Sequence, residues 1–184
     1  MSASLKIICQ SPCLWMGDHL DYCKPPTFVD IKLNEACPAT LWTWAPEGAE
    51  WVYLIKIMGF TLLYVPTSDT VYFVNPAYAL RNSCPANTVM VAQCVRDDGY
   101  APRLLVVDLL CERSVRVQHT DPAARYRRLQ DLQQHFVEPN CVLQWCGERD
   151  ALGPSFMDSL PHRVAARVGL GEVGGNMVVE RLIH

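Results

Sequence analysis

Lys56 closes the apolar run EWVYLIKI at 50–57, and Gly59 follows three residues later. An amine at the end of an apolar strand serves chemistry in one of two ways. It is a nucleophile when activated, or it is a fixed cation for an anionic ligand. Just upstream, LWTWAPEGAEW at 41–51 carries Trp42, Trp44 and Trp51. Such a cluster is a core anchor or a platform on which a purine stacks, each stack contributing about 1–3 kcal/mol. Trp42 and Trp44 fit either role, whereas Trp51 opens an apolar strand and reads as core. Arg125, Arg127 and Arg128 form a basic cluster whose planar forks suit phosphate, or which simply make a solvated face.

Cys9, Cys13, His19, Cys23 and Cys37 are spaced loosely like zinc ligands. No tight Cys-x2-Cys knuckle is among them, so small buried hydrophobes are the competing reading. His119, His135 and Cys111 are scattered, and no Ser-His-Asp, Cys-His or Walker-type arrangement competes with Lys56.

The elements that must position these residues are mostly strands. LKIIC at 5–9 reads as a short strand. The segment to Pro46 is broken by prolines, with an alternating strand FVDIKL at 28–33. Two strands are expected to meet near Met58-Gly59. TVYFVN at 70–75 continues the meander after a PTSD turn, and NPAYALRNSCPAN is a loop. TVMVAQCV at 88–95 follows, and Asp98-Gly99 signals a hairpin. LLVVDLLC at 104–111 is apolar on both faces and is expected at the centre of a sheet. SVRV at 114–117 continues or pairs beside it.

Asp121 and Pro122 mark a helix start. Tyr126, Leu129, Leu132 and Phe136 recur at helical spacing as its buried stripe, with Arg125, Arg127 and Arg128 on the remaining surface and Pro139 as its end. Beyond it, CVLQWC at 141–146 reads as a strand and FMDSL at 156–160 as a helical turn. HRVAARVGL at 162–170 reads as a second helix fragment, and VGGNMVVERLIH as a closing strand inserted into the sheet.

Half of the 184 residues are hydrophobic, enough for a real core and most simply one domain. The expected organisation is residues 1–40 as an irregular segment packed on the sheet and 41–184 as the core. A net charge of −3 argues against a generic nucleic-acid binder. No apolar run is long enough to span a membrane. The first residues are a poor match to a secretory signal, so the nine cysteines are expected as reduced thiols in the cytoplasm or nucleus.

Several blocks together carry a resemblance: Glu50-Trp51 leading the lysine strand, Gly59, VYFVN, TVMVAQCV, LLVVDLLC followed by HTD and RYRRLQDL, and late GGNMVVE. In this order they resemble the nucleotide-binding domain of the nucleotidyltransferase superfamily, which includes capping enzymes and polynucleotide ligases. Within it the chain is most similar to the non-catalytic trimethylguanosine-cap-binding domains of the snurportin type. The likeness covers roughly residues 41–180. It implies an α+β fold of mostly antiparallel twisted sheets with a few short helices. It also implies a ligand site drawn from Trp42, Trp44, Lys56, Gly59, Arg125 and Arg128, and capped RNA or a guanine nucleotide as the ligand.

The sequence departs from the catalytic pattern. Met58 stands where the covalent motif has aspartate, and Thr61 where it has arginine. VMVAQCV and VGGNMV lack the acidic residues that would bind metal, and the basic closing motif has no counterpart. The expectation therefore leans to a binding domain with no metal and no cofactor, an active ligase or guanylyltransferase with unorthodox metal ligands being the third reading. The alternative is the same fold used as a protein-interaction module in an RNA-processing or transport complex.

Overall fold

The computed structural model describes residues 1–14, 27–97 and 99–182. The meander expected from 50 to 75 forms as three antiparallel strands, β4 (Glu50–Ile57), β5 (Phe60–Val65) and β6 (Thr70–Val74). Two residues, Met58 and Gly59, join β4 to β5. Gly59 has φ of 78°, a left-handed conformation that glycine adopts without steric penalty. β7 (Thr88–Val95) pairs with β4, and β8 (Arg103–Glu112) pairs with β7. Gly99 lies in the β7–β8 connection, while Asp98 falls outside the described residues.

The N-terminal segment adds β1 (Cys9–Pro12) at the β6 edge. The two-residue β9 (Val115–Arg116) lies along β8, and β10 (Cys141–Leu143) joins β8 in parallel. The resulting order is β1-β6-β5-β4-β7-β8-β10. β8 is thus an interior strand, as expected, flanked by β7 and β10. It is buried on both faces because each face of the sheet carries another layer.

The second sheet runs β2 (Thr27–Ile31), β12 (Asn176–Arg181), β11 (Val164–Leu170) and β3 (Leu41–Pro46). The strand expected at 28–33 is β2, an edge strand whose side chains are mostly exposed. β12 inserts between β2 and β11, as the closing strand was expected to do.

β11 corrects the expected helix at 162–170. Ala166, Val168 and Leu170 alternate inward, and the backbone bonds β12 on one side and β3 on the other. The cross-strand ladders outweigh the helical spacing of a short apolar segment. A register shift between Val164 and Ala166 turns Val164 to the opposite face.

The expected strand at 5–9 is also corrected, because residues Ala3–Ile8 form a helix, α1. Ser2 Oγ accepts from Leu5 N–H at 3.2 Å, and Leu5 and Ile8 bury one turn apart. α2 (Pro122–Leu132) starts where expected but ends before Pro139, in a 3-10 turn at Gln133–His135. α3 (Pro154–Asp158) is the expected helical turn.

Three apolar layers hold these elements together. Leu5, Ile8, Leu129, Leu132 and Phe136 pack α1 and α2 onto Leu54, Met90 and Leu104 of the large sheet. Its other face, with Ile55, Val91, Val107 and Leu110, meets Val168, Leu170 and Met177 of the small sheet. The outer face of the small sheet is covered by α3 and by a 3-10 turn at Arg149–Ala151. The architecture is a mostly antiparallel β-fold with a few short helices. No helix among the described residues is long and apolar enough to cross a membrane.

Candidate functional site

Trp42 and Trp44 lie two residues apart on β3, so both rings point to the outer face of the small sheet. That face is roofed, and the two residues are 2% and 6% exposed. Trp42 Nε1 donates to the Ala39 carbonyl at 3.0 Å, and the Arg149 guanidinium sits 4.6 Å from its ring centre. Trp44 packs edge-on against Phe156 and donates from Nε1 to His162 Nε2 at 2.9 Å. An indole nitrogen only donates, so His162 Nε2 is an acceptor and Nδ1 carries the proton to Asp97 Oδ1, 2.8 Å away. This chain of contacts ends in the Asp97–Arg103 ion pair. Both imidazole nitrogens are engaged, and neither tryptophan presents a face to a base. Trp51 is half-buried against Phe28, and Trp145, 42% exposed, leans on Phe156.

Arg125 was expected on the solvent face of its helix but is fully buried. Its Nε meets Asp108 Oδ1 at 2.9 Å, and its Nη atoms donate to the carbonyls of Thr120, Gly171 and Glu172. It ties α2 to β8 and to the start of the β11–β12 connection, and it has no fork left for a ligand. Arg128 is exposed and reaches Glu112 at 2.7 Å. Arg127 is exposed as expected.

Lys56 and Gly59 stay together. Lys56 stands between Thr61 on β5 and Thr88 on β7 in the strand register, on the face that carries Leu54. The loop following β6 covers it. Asn87 N–H donates to the Lys56 carbonyl at 2.7 Å, and Leu80 N–H donates to Thr61 Oγ1 at 3.1 Å. Lys56 is 2% exposed, yet its ammonium makes no hydrogen bond or ion pair among the described residues. Cys84 of the covering loop lies within its electrostatic reach. Burial pushes the Cys84 thiol up to about 11, against the pull of Lys56 and with the push of Glu112.

A cavity of about 630 Å³ opens at the β4–β5 turn, lined by Gly59, Phe60, Thr61, Phe73, Arg81 and Asn82 among others, with Lys56 behind Thr61 and not in the lining. Phe60 is 55% exposed and meets Phe73 edge-on at 5.7 Å. Arg81 is exposed on the rim. The sequence reading passed over Phe60, Phe73 and Arg81. Phe60 was within reach of it, adjoining the turn glycine, but Arg81 sits in a loop whose path no periodicity reveals.

Glu180 is fully buried, opposite Arg167 in the β11–β12 register. It accepts from Arg149 Nε at 2.8 Å and from Asn34 N–H at 3.2 Å, and it also pairs with Arg167 Nη2. Burial pushes its carboxyl up, but the hydrogen bonds from Arg167, Arg149 and Asn34 outweigh burial and hold it below the usual range. This network was not foreseen, because it depends on the β11–β12 pairing.

Of the loosely zinc-like set, His19 and Cys23 lie outside the described residues. Cys9, Cys13 and Cys37 remain, and no metal-holding group of three His, Cys, Asp or Glu side chains forms among the described residues. No family model matches the sequence, and a search of curated proteins finds no match.

Proposed function

We propose that the chain is a non-catalytic guanine-nucleotide or RNA-cap-binding domain with a nucleotidyltransferase-like fold, its ligand seated in the cavity at the β4–β5 turn. The observation that carries this reading is Lys56. Its ammonium makes no ion pair among the described residues, so an anion in the neighbouring cavity adds a favourable charge interaction. The phosphates lie between Arg81 on the rim and Lys56, which acts as a fixed positive charge behind Thr61. The exposed Phe60 ring, backed by Phe73, supplies the face on which a methylated, cationic purine stacks. The left-handed turn at Gly59 keeps the mouth open, since no side chain projects there. Trp42, Trp44 and Arg125 have structural roles in this reading.

The test is calorimetric titration with GTP, a 7-methylguanosine cap and a trimethylguanosine cap dinucleotide. Saturable binding of a methylated cap is expected, weakened by salt and lost in Phe60→Ala and Lys56→Met. Absence of binding by all three at high micromolar ligand would overturn the reading. The burial of Trp42, Trp44 and Arg125 favours a second reading, in which the same fold holds a protein partner in an RNA-processing or transport complex. In that case a pull-down recovers a partner whose contacts survive Phe60→Ala.

A further inference from the structure

A second cavity, of about 800 Å³, lies on the outer face of the small sheet and shares no lining residue with the first. Its lining is half apolar, with Leu152, Met157, Leu160, Val164 and Leu182 among its residues, and half polar. Val164 is there because of the register shift that turns it away from the sheet interface. Arg167 is in the same lining, and its side chain is 12% exposed. One guanidinium nitrogen, Nη2, serves both Glu180 and Asn34. Arg167 Nε is buried without an acceptor, and Nη1 makes no hydrogen bond among the described residues.

Two guanidiniums, Arg149 and Arg167, face the single Glu180 carboxylate, so one positive charge in this buried cluster is uncompensated by it. Asp158, also in the lining, is exposed and solvated. Arg163 is 77% exposed and lies 3.7 Å from Glu47. Cation and apolar wall thus meet in one space of the size that small-molecule sites have.

We propose that this cavity binds an amphipathic carboxylate: a small molecule with one anionic head and an unbranched apolar chain. The head takes the Nη1 donor of Arg167, and the chain lies along Leu152, Met157, Leu160 and Leu182. The apolar half of the lining suits a tail and the excess positive charge suits an anion, so an amine does not fit. This proposal does not depend on the nucleotide reading.

The experiment is calorimetric titration of the full chain with decanoate, hexanoate, 1-decanol and decyltrimethylammonium. Decanoate is expected to bind once per chain. Shortening the chain weakens binding by roughly fourfold per methylene, and the cationic amphiphile does not bind. Met157→Trp fills the cavity and should abolish decanoate binding while leaving the melting temperature within a few degrees of its original value. Arg167→Met should bind decanoate and 1-decanol equally. If that variant fails to fold, Met157→Trp, which leaves the ion network intact, decides alone. Equal affinity for decanoate and decyltrimethylammonium, or unchanged decanoate affinity in Met157→Trp, would overturn the proposal. So would displacement of decanoate by an apolar peptide with a free C-terminus at lower concentration, since the site would then read peptides. Saturating cap dinucleotide should leave decanoate affinity unchanged, which separates this site from the Lys56 cavity.

Discussion

The two arginines of α2 that the sequence offers equally to phosphate differ in what surrounds them. Arg125 is fully buried against Asp108, and Arg128 is half exposed against Glu112. Removing one partner of a buried pair strands the other charge, so Arg125→Met should cost about 3–5 kcal/mol in urea unfolding. Arg128→Ala should cost less than about 1 kcal/mol. Similar losses for both would mean that Asp108 is not isolated as its surroundings imply. Glu180 makes the corresponding case for pH. Its folded-state carboxyl is held below its ordinary value of 4.5, so it contributes stability above that value. The contribution is lost as pH falls through the folded-state value. Glu180→Gln should therefore flatten the acid limb of a stability–pH curve below about pH 4.5. An unchanged limb would place the acid sensitivity elsewhere.

Strands and their turns were the most legible elements, because alternation and turn chemistry act within a few residues. The Met58-Gly59 hairpin, β7 and the start of α2 were read from such local signals. α1 and β11 were misread for related reasons. Four or five apolar residues fit either period, and the choice was made by the Ser2 cap in one case and by two neighbouring strands in the other. The candidate site was legible only in part. Gly59 lines the cavity at the hairpin and Lys56 lies behind its Thr61 wall because they share that hairpin, whereas Trp42, Trp44 and Arg125 went to the core through contacts more than a hundred residues away or across layers. Gly169 shows how tight those contacts are. It faces Trp42 across β11–β3, and an added Cβ would stand 2.7 Å from the Ala39 Cβ and 3.1 Å from the Trp42 ring. Gly169→Ala should then lower stability by about 1–3 kcal/mol through overpacking. At Gly59 nothing stands within 4 Å, so Gly59→Ala should cost only the left-handed strain, on the order of 1–2 kcal/mol. Gly59→Asn should recover part of it, because asparagine tolerates that conformation. Chemical denaturation of the three variants measures both effects.

At the scale of the whole molecule, the buried thiols report how the layers open. Burial pushes Cys94, Cys141 and Cys146 up to about 12 and Cys9 and Cys84 up to about 11, so almost none of their thiolate exists near neutral pH. Alkylation of these groups therefore waits for an opening event, and the rate at each position measures how costly that event is. Cys141 lies in β10 on the layer shared by α2 and the large sheet, which separates only when the core does. Cys84 lies in the loop over Lys56, at the rim of the same layer, and that loop lifts once its hydrogen bonds to Thr61, Lys56, His135 and Asn140 break. Pulsed iodoacetamide labelling read by peptide mass should modify half-buried Cys37 first, Cys84 next and Cys141 last. Mild urea should accelerate Cys141 most, because its opening exposes the most surface. A cap dinucleotide in the Lys56 cavity should slow Cys84 and leave Cys37 alone. Equal rates at Cys84 and Cys141 would mean that the loop is part of the core, and that the proposed ligand must approach Lys56 through the β4–β5 mouth alone.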